Sequence, residues 1–490
     1  MLSFAVYLDG HAADKVELAG AYVVGTDDVP LRAEISFQKG VIVCEKRAAG
    51  PAGLAVLWDV AGVGRILLET VRVLEREKPY ILQIEFARAR LMRINQKLED
   101  WGLLDFTDID DVATMVNDAR TLLIKALQAD TPAEAAAKGD EALSLAVRAS
   151  ERATEFHANA FFSRRKETAS FSPHVVGCGV PLDQSPDIIR KRISSAFDFV
   201  TVPIVWRDIE PSEQTFNWKP LDTWVEALSK AKIPVRASAL LSFHERYVPE
   251  WLYVWEHDFD TIRDVAFEHV RRIINRYGQY VHHWDVISGV HANNCFTFTF
   301  EQLMELTRMT AALTNQAAPQ SITTINIIAP WGEYYARNQR TIPPLLYADM
   351  AVQSGIKFDA FGLQFLFGPG IDGMFLRDQF QVSSLIDQFA KSGKSLHITA
   401  LQVPSATGGW DIDGGHWHEP WSEQIQAEWM TRFVEVALSK PFVESVSWQC
   451  LTDTPEQLIP HGGLLSANLS PKKAYERLVD MRSEIHAASR

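Results

Sequence analysis

Residues 280–294 read YVHHWDVISGVHANN, and the fold turns on how the apolar run inside this stretch is bounded. Val281 to Ile287 is short and rich in β-branched and aromatic residues, and it stops at Ser288-Gly289. That is the form of a buried strand ended by a turn. Seven further runs share its character: HVVGCGV and DFVTVPIVW, then IPVRASALLSF and TTINIIAP, and finally KFDAFGLQFL, SLHITALQV and VESVSWQCL. Amphipathic helical stretches separate them over roughly 300 residues, the size and rhythm of a (β/α)8 barrel. A doubly wound open sheet is the competing architecture, but no G-x-G-x-x-G follows the first strand. In a barrel, chemistry belongs at the C-terminal ends of the strands.

The residues ahead of the barrel have a different texture. Residues 1–85 carry short β-like runs broken by turn residues, such as AYVVGTDDVPLRAEISF, GVIVCEK and LAVLWDVAGVG, and predict a small β domain, sandwich-like in pattern. Residues 86–166 turn helical. One amphipathic segment, FARARLMRINQKLEDWG, stops at Gly102; another opens with Thr131, Pro132 and Glu134, a capping box with proline at the first helical position. The fold class is therefore α/β: a TIM barrel over 167–490, preceded by a small β domain and a helical segment.

Hydrophobic residues make up 47% and charged residues 22% of the chain, a balance that places it among globular proteins. A formal charge of −14 argues against nucleic acid or an anionic membrane as partner, since both need a basic footprint. No stretch approaches the ~18 uncharged apolar residues that cross a bilayer. The N-terminus does not resemble a signal peptide, and Cys44, Cys178, Cys295 and Cys450 lack metal-ligand spacing. A reducing, cytoplasmic setting is expected.

The strand ends, taken in order, resemble glycoside hydrolase family 10, the β-1,4-xylanases, over about residues 172–480. The match rests on EPSEQTFNW (210–218), RYGQYVHHWDV (276–286), FGLQ (361–364), ITALQV (398–403) and GGLLSANLSPKKAY (462–475). The family's retaining chemistry needs two carboxyl groups about 5–5.5 Å apart, one a nucleophile and one an acid/base. The resemblance puts the acid/base six residues into the fourth-strand motif, where this chain has Gly289, and the nucleophile in the seventh-strand motif, where it has Ala400. Neither can hold or move a proton. The resemblance also maps the family's sugar-holding residues onto Thr201, Val202, Val205, Ser238, Ser242 and Leu366. Gln364 and Trp448 persist, as do Arg236, Trp284 and Asp285.

Other candidates stand nearby. His244-Glu245, just past strand three, is either a substitute acid/base pair or a solvated loop pair. Trp331 and Glu333, after strand five, are placed for ligand contact or for packing under a loop. The segment GGWDIDGGHWHEPW, after strand seven, offers Trp410, Trp417 and Trp421 for stacking on sugar rings. Its Asp411, Asp413, His416, His418 and Glu419 are loose as a metal pattern, and no metal or cofactor is expected. Asp285 reads as a buried hydrogen-bonding residue whose side chain points away from the mouth. Cys178 and Cys450 read as neighbouring free thiols.

The reading that follows is a degenerate family member that binds a carbohydrate or another small polar ligand without hydrolysing it. Its ligand-binding set is Gln364, Trp448, His244, Glu245, Trp331, Trp410 and Trp417, with no catalytic residue. Relocated catalytic acids, or a barrel serving only as scaffold with residues 1–166 driving self-association, are the alternatives.

Overall fold

A computed structural model describes residues 1–106, 109–408, 413–455 and 457–487. Eight parallel strands close into a barrel: Val176–Gly179, Phe199–Pro203, Val235–Ser238, Val281–Ser288, Ile322–Ile327, Ala360–Leu366, Ser395–Gln402 and Val443–Trp448. They are called strands one to eight below. A helix follows each strand, from Pro186–Ala196 after the first to Lys473–Ala487 after the last. Strands sandwiched between a filled lumen and a ring of helices are buried on both sides, so they read as continuous apolar runs without alternation. Strand one is buried at every residue and strand five at every residue but its first.

The outward side chains show how helices lock onto the wall. Phe365 of strand six meets Phe433 at 5.2 Å between ring centres, and Phe367 meets Trp429 at 5.7 Å. Both partners lie on the helix Glu423–Ser439. The lumen is polar by contrast. His283 of strand four and His397 of strand seven come within 4.6 Å although their strands are not neighbours, so they meet across the interior. Burial pushes both imidazoles well below their ordinary range, with Arg236 reinforcing the shift. His397 Nδ1 bonds the Ser445 hydroxyl at 2.7 Å, and His283 bonds Thr324.

Asp285 belongs to this interior. Arg236 donates to its Oδ1 from Nε at 2.9 Å and again from a terminal nitrogen, and both side chains are essentially buried. The expectation that Asp285 is a buried hydrogen-bonding group matches this pair.

Ahead of the barrel, two larger sheets form beside the two-stranded pair Tyr7–Leu8 and His11–Ala12. One has four strands, with Leu2–Ala5 between Val41–Lys46 and Tyr80–Ile81. The other has five, and its edge strand is not local: His416–Trp417, from the loop after strand seven, pairs antiparallel with Gly64 and Arg65. Helices Leu82–Asp100, Asp110–Leu127 and Pro132–Glu167 follow. Gly102, at φ +63°, ends the first as its left-handed conformation requires. Thr131 caps the third, its side chain accepting from the Glu134 amide, with Pro132 in the first turn. That helix ends against the barrel. Arg165, 7% exposed, donates to the carbonyls of Leu438, Lys440 and Val443 at 2.9–3.0 Å.

Candidate functional site

The two positions onto which the resemblance maps carboxyl groups lie just past strand four and within strand seven. Ala400 sits in strand seven opposite Gln364 of strand six and is 1% exposed. A methyl group is all it presents. Gly289 ends strand four at φ +68°, a region that strains any residue with a side chain. Its amide donates to the Asn326 carbonyl at 3.3 Å. A Cβ placed there would stand 2.7 Å from Cδ1 of Ile328, which leans in from the end of strand five. A side chain at this position would need a strained backbone and a shift of the Ile328 side-chain end.

Around these positions the strand ends carry hydroxyl, amide and apolar groups. Ser238, Ser242, Ser288, Gln364, Ile328 and Leu366 are half-buried at the rim. Thr201 lies deeper, its hydroxyl 3.4 Å from that of Ser447. Asn326, fully buried beside Ser288, has an amide side chain with no protein partner among the described residues. Such a set can hydrogen-bond a neutral polar molecule. It contains no group able to attack an anomeric carbon at the two inherited positions.

Residues 182–481, more than half of the chain, match the family model described as glycosyl hydrolase family 10. The chain belongs to glycosyl hydrolase family 10. It is 28% identical over 83 residues to endo-1,4-beta-xylanase 1 of Gibberella zeae, a stretch covering 17% of this chain and 23% of that protein. It is 21% identical over 243 residues to an endo-1,4-beta-xylanase/feruloyl esterase of Xylanibacter ruminicola, covering 45% of this chain and 31% of that one. The matches thus span about a quarter to a third of these curated relatives' length. The family 10 structure from Paenibacillus barcinonensis superimposes with a TM-score of 0.50 at 18% identity, over 64% of this chain and 97% of that one, a likeness of fold.

On this family 10 barrel the remaining candidates fall in different places. Trp448, 2% exposed, donates its indole N–H to the Gly462 carbonyl at 2.8 Å and so anchors the loop after strand eight. His244 accepts the Arg246 amide on Nδ1 at 3.1 Å, and burial holds its pKa below the ordinary imidazole value, Glu245 opposing the shift. Glu245 is exposed. Trp331 packs on Phe365 and Phe367, on the outer side of strand six, beneath the Arg377 guanidinium. Glu333 is 2% exposed and pairs with Arg377 at 2.7 Å.

Trp417 belongs to the joint with the N-terminal sheet, paired with Gly64 and donating to Glu151 Oε1 at 3.0 Å. His418 joins it, with Nδ1 3.2 Å from the Gly62 carbonyl. Trp421 donates inward to the Gly415 carbonyl. Trp410 and Asp411 lie outside the described residues. Asp413 takes the Gly415 amide at 2.9 Å, which shapes the turn leading to His416. Among the described residues no three His, Cys, Asp or Glu side chains gather as a metal cage. Cys178 and Cys450 are free thiols, and burial pushes the latter up to about 11.

Sequence reasoning missed two features. Ile328 reaches Gly289 from strand five, and nothing in the strand-four motif announces it. The segment after strand seven reads as a rim loop, yet its two-residue strand completes another sheet.

Proposed function

We propose that this chain is a non-hydrolytic member of family 10 whose barrel mouth binds a neutral carbohydrate. The observation that carries the proposal is the pair of inherited positions: Gly289, held at φ +68° against Ile328, and Ala400, flush with the wall. Retaining hydrolysis divides a hard step in two through a covalent intermediate, and neither glycine nor alanine supplies the carboxylate that intermediate needs.

Binding has separate support. Gln364 persists beside Ala400, and Ser238, Ser242 and Ser288 add hydroxyls on the rim. Hydroxyl and amide groups of this kind pair with sugar hydroxyls without a net charge. The family points to a xylan-type chain as the ligand to try first.

Calorimetric titration with xylohexaose tests the reading. Saturable binding that weakens by about tenfold in Gln364→Ala, the effect of losing one well-formed hydrogen bond in a site, supports it. Absence of binding by the folded protein, or binding indifferent to Gln364, overturns it.

A further inference from the structure

Between the N-terminal sheet, the helices that follow it and the outer face of the barrel lies a cleft of about 900 Å³. It is separate from the barrel mouth. Its volume falls within the range of small-molecule sites, and it sits where such sites concentrate, at a junction between structural units.

The wall along the helix Leu82–Asp100 carries Arg93, Lys97 and Trp101; the facing wall carries Asp387, with Lys440 just after the helix Glu423–Ser439. Arg93 and Lys97 are one helical turn apart, so their side chains rise from neighbouring points on one face. Lys97 and Lys440 meet on the same carboxylate. Lys440 Nζ lies 2.6 Å from Asp387 Oδ1, and Lys97 Nζ lies 3.0 Å from Oδ2. Three cations therefore converge on the cleft.

The hydrogen-bond account is unbalanced toward donors. Asp387 already takes both lysines and the Trp101 indole N–H at 2.9 Å. Glu69 takes Arg93, Arg72 and the Tyr22 hydroxyl. Each carboxylate thus takes three donors, close to its capacity, while the cations keep spare N–H groups. Lys440, 2% exposed, finds one acceptor for its three N–H groups. Arg93 makes one hydrogen bond from five donors. The other acids bordering the cleft, Asp27, Asp28 and Asp100, are exposed at its rim; Asp28 is paired with Arg72, and Asp100 lies 3.7 Å from Lys97. Burial works against the charge on Lys440, with Asp387 as the main opposing influence. A second negative group beside it would favour the ammonium further.

We infer that this cleft binds a small organic anion, with its carboxylate or phosphate held by Lys440, Lys97 and Arg93 and its body laid along Trp331, Pro344 and Leu346. Charge-assisted hydrogen bonds in a half-enclosed site supply the affinity, and the apolar wall accepts the uncharged part.

The test uses the full-length protein with glucuronate, glucose 6-phosphate and inorganic phosphate, and with glucose as the uncharged control. Thermal unfolding screens the four, and calorimetry gives Kd for any that stabilise. At least one of the anions raises the Tm while glucose does not, and Kd rises about tenfold or more in Lys440→Gln and in Arg93→Gln. Glucuronate acting alone identifies a carboxylate ligand, and the phosphates acting alone identify a phosphoryl group; either supports the inference. If Lys440→Gln fails to fold, Arg93→Gln and Lys97→Gln carry the same reading. No Tm shift with any of the three anions, a shift with glucose equal to theirs, or anion binding unchanged in the folded variants overturns it.

Discussion

Ile328 Cδ1 stands 2.7 Å from where the first side-chain carbon of residue 289 would be, so a side chain at Gly289 requires the Ile328 side chain to shift. The backbone at Gly289, at φ +68°, adds its own objection to a side chain. We predict that Gly289→Ala lowers unfolding free energy by about 1–3 kcal/mol, the cost of forcing an L-residue into that region. Urea denaturation measures it. A variant as stable as the wild type would mean that the strand end relaxes freely and that the space is not closed.

The Arg236–Asp285 pair makes the lumen sensitive to single substitutions. Replacing Asp285 with Asn, or Arg236 with Met, strands the other charge in the interior, and about 3–5 kcal/mol of stability should go with it. The double variant Arg236→Met/Asp285→Leu should lose far less than the sum. Additive losses in a double-mutant cycle would contradict a direct pairing.

The joint at Trp417 should give stability a pH slope. Burial pushes the Glu151 carboxyl up from 4.5 to about 7, the Trp417 indole N–H opposing the shift and the Asp378 charge adding to it. The folded state then keeps a proton that the unfolded chain gives up near 4.5. Stability from this group is whole below about 4.5, declines as pH rises toward 7, and is fully lost above that. Glu151→Gln should flatten the fall of the urea midpoint between pH 5 and 7. An unaltered slope would exclude Glu151 as its source.

Arg165 ties the long helix to the barrel through three carbonyls. Arg165→Met leaves them without that donor and should cost about 3 kcal/mol. Limited proteolysis should then cut more readily near residues 438–443. Unchanged stability and cleavage would show that the contact adds nothing.

The barrel was legible because its eight strands are buried on both faces and so stand out as short apolar runs. Gly289 and Ala400 stand out in the sequence because Trp284-Asp285 and Ile398-Thr399 carry the resemblance up to those two positions. What stayed hidden depends on residues distant in the chain. Ile328 closes on Gly289 from another strand. Trp417 finds its partner strand at Gly64, and two residues are too few to register as a strand. The anion cleft draws Arg93, Lys97, Asp387 and Lys440 from three separate segments, none of which forms a motif alone.

We propose that the barrel keeps its shape without its inherited reactivity. Chromatographic analysis of xylohexaose after prolonged incubation with the pure protein tests it most directly. Intact hexaose is expected, with cleavage no faster than in buffer. Shorter oligosaccharides accumulating in proportion to protein concentration would contradict it and would mean that acids elsewhere on the rim do the work that Gly289 and Ala400 cannot.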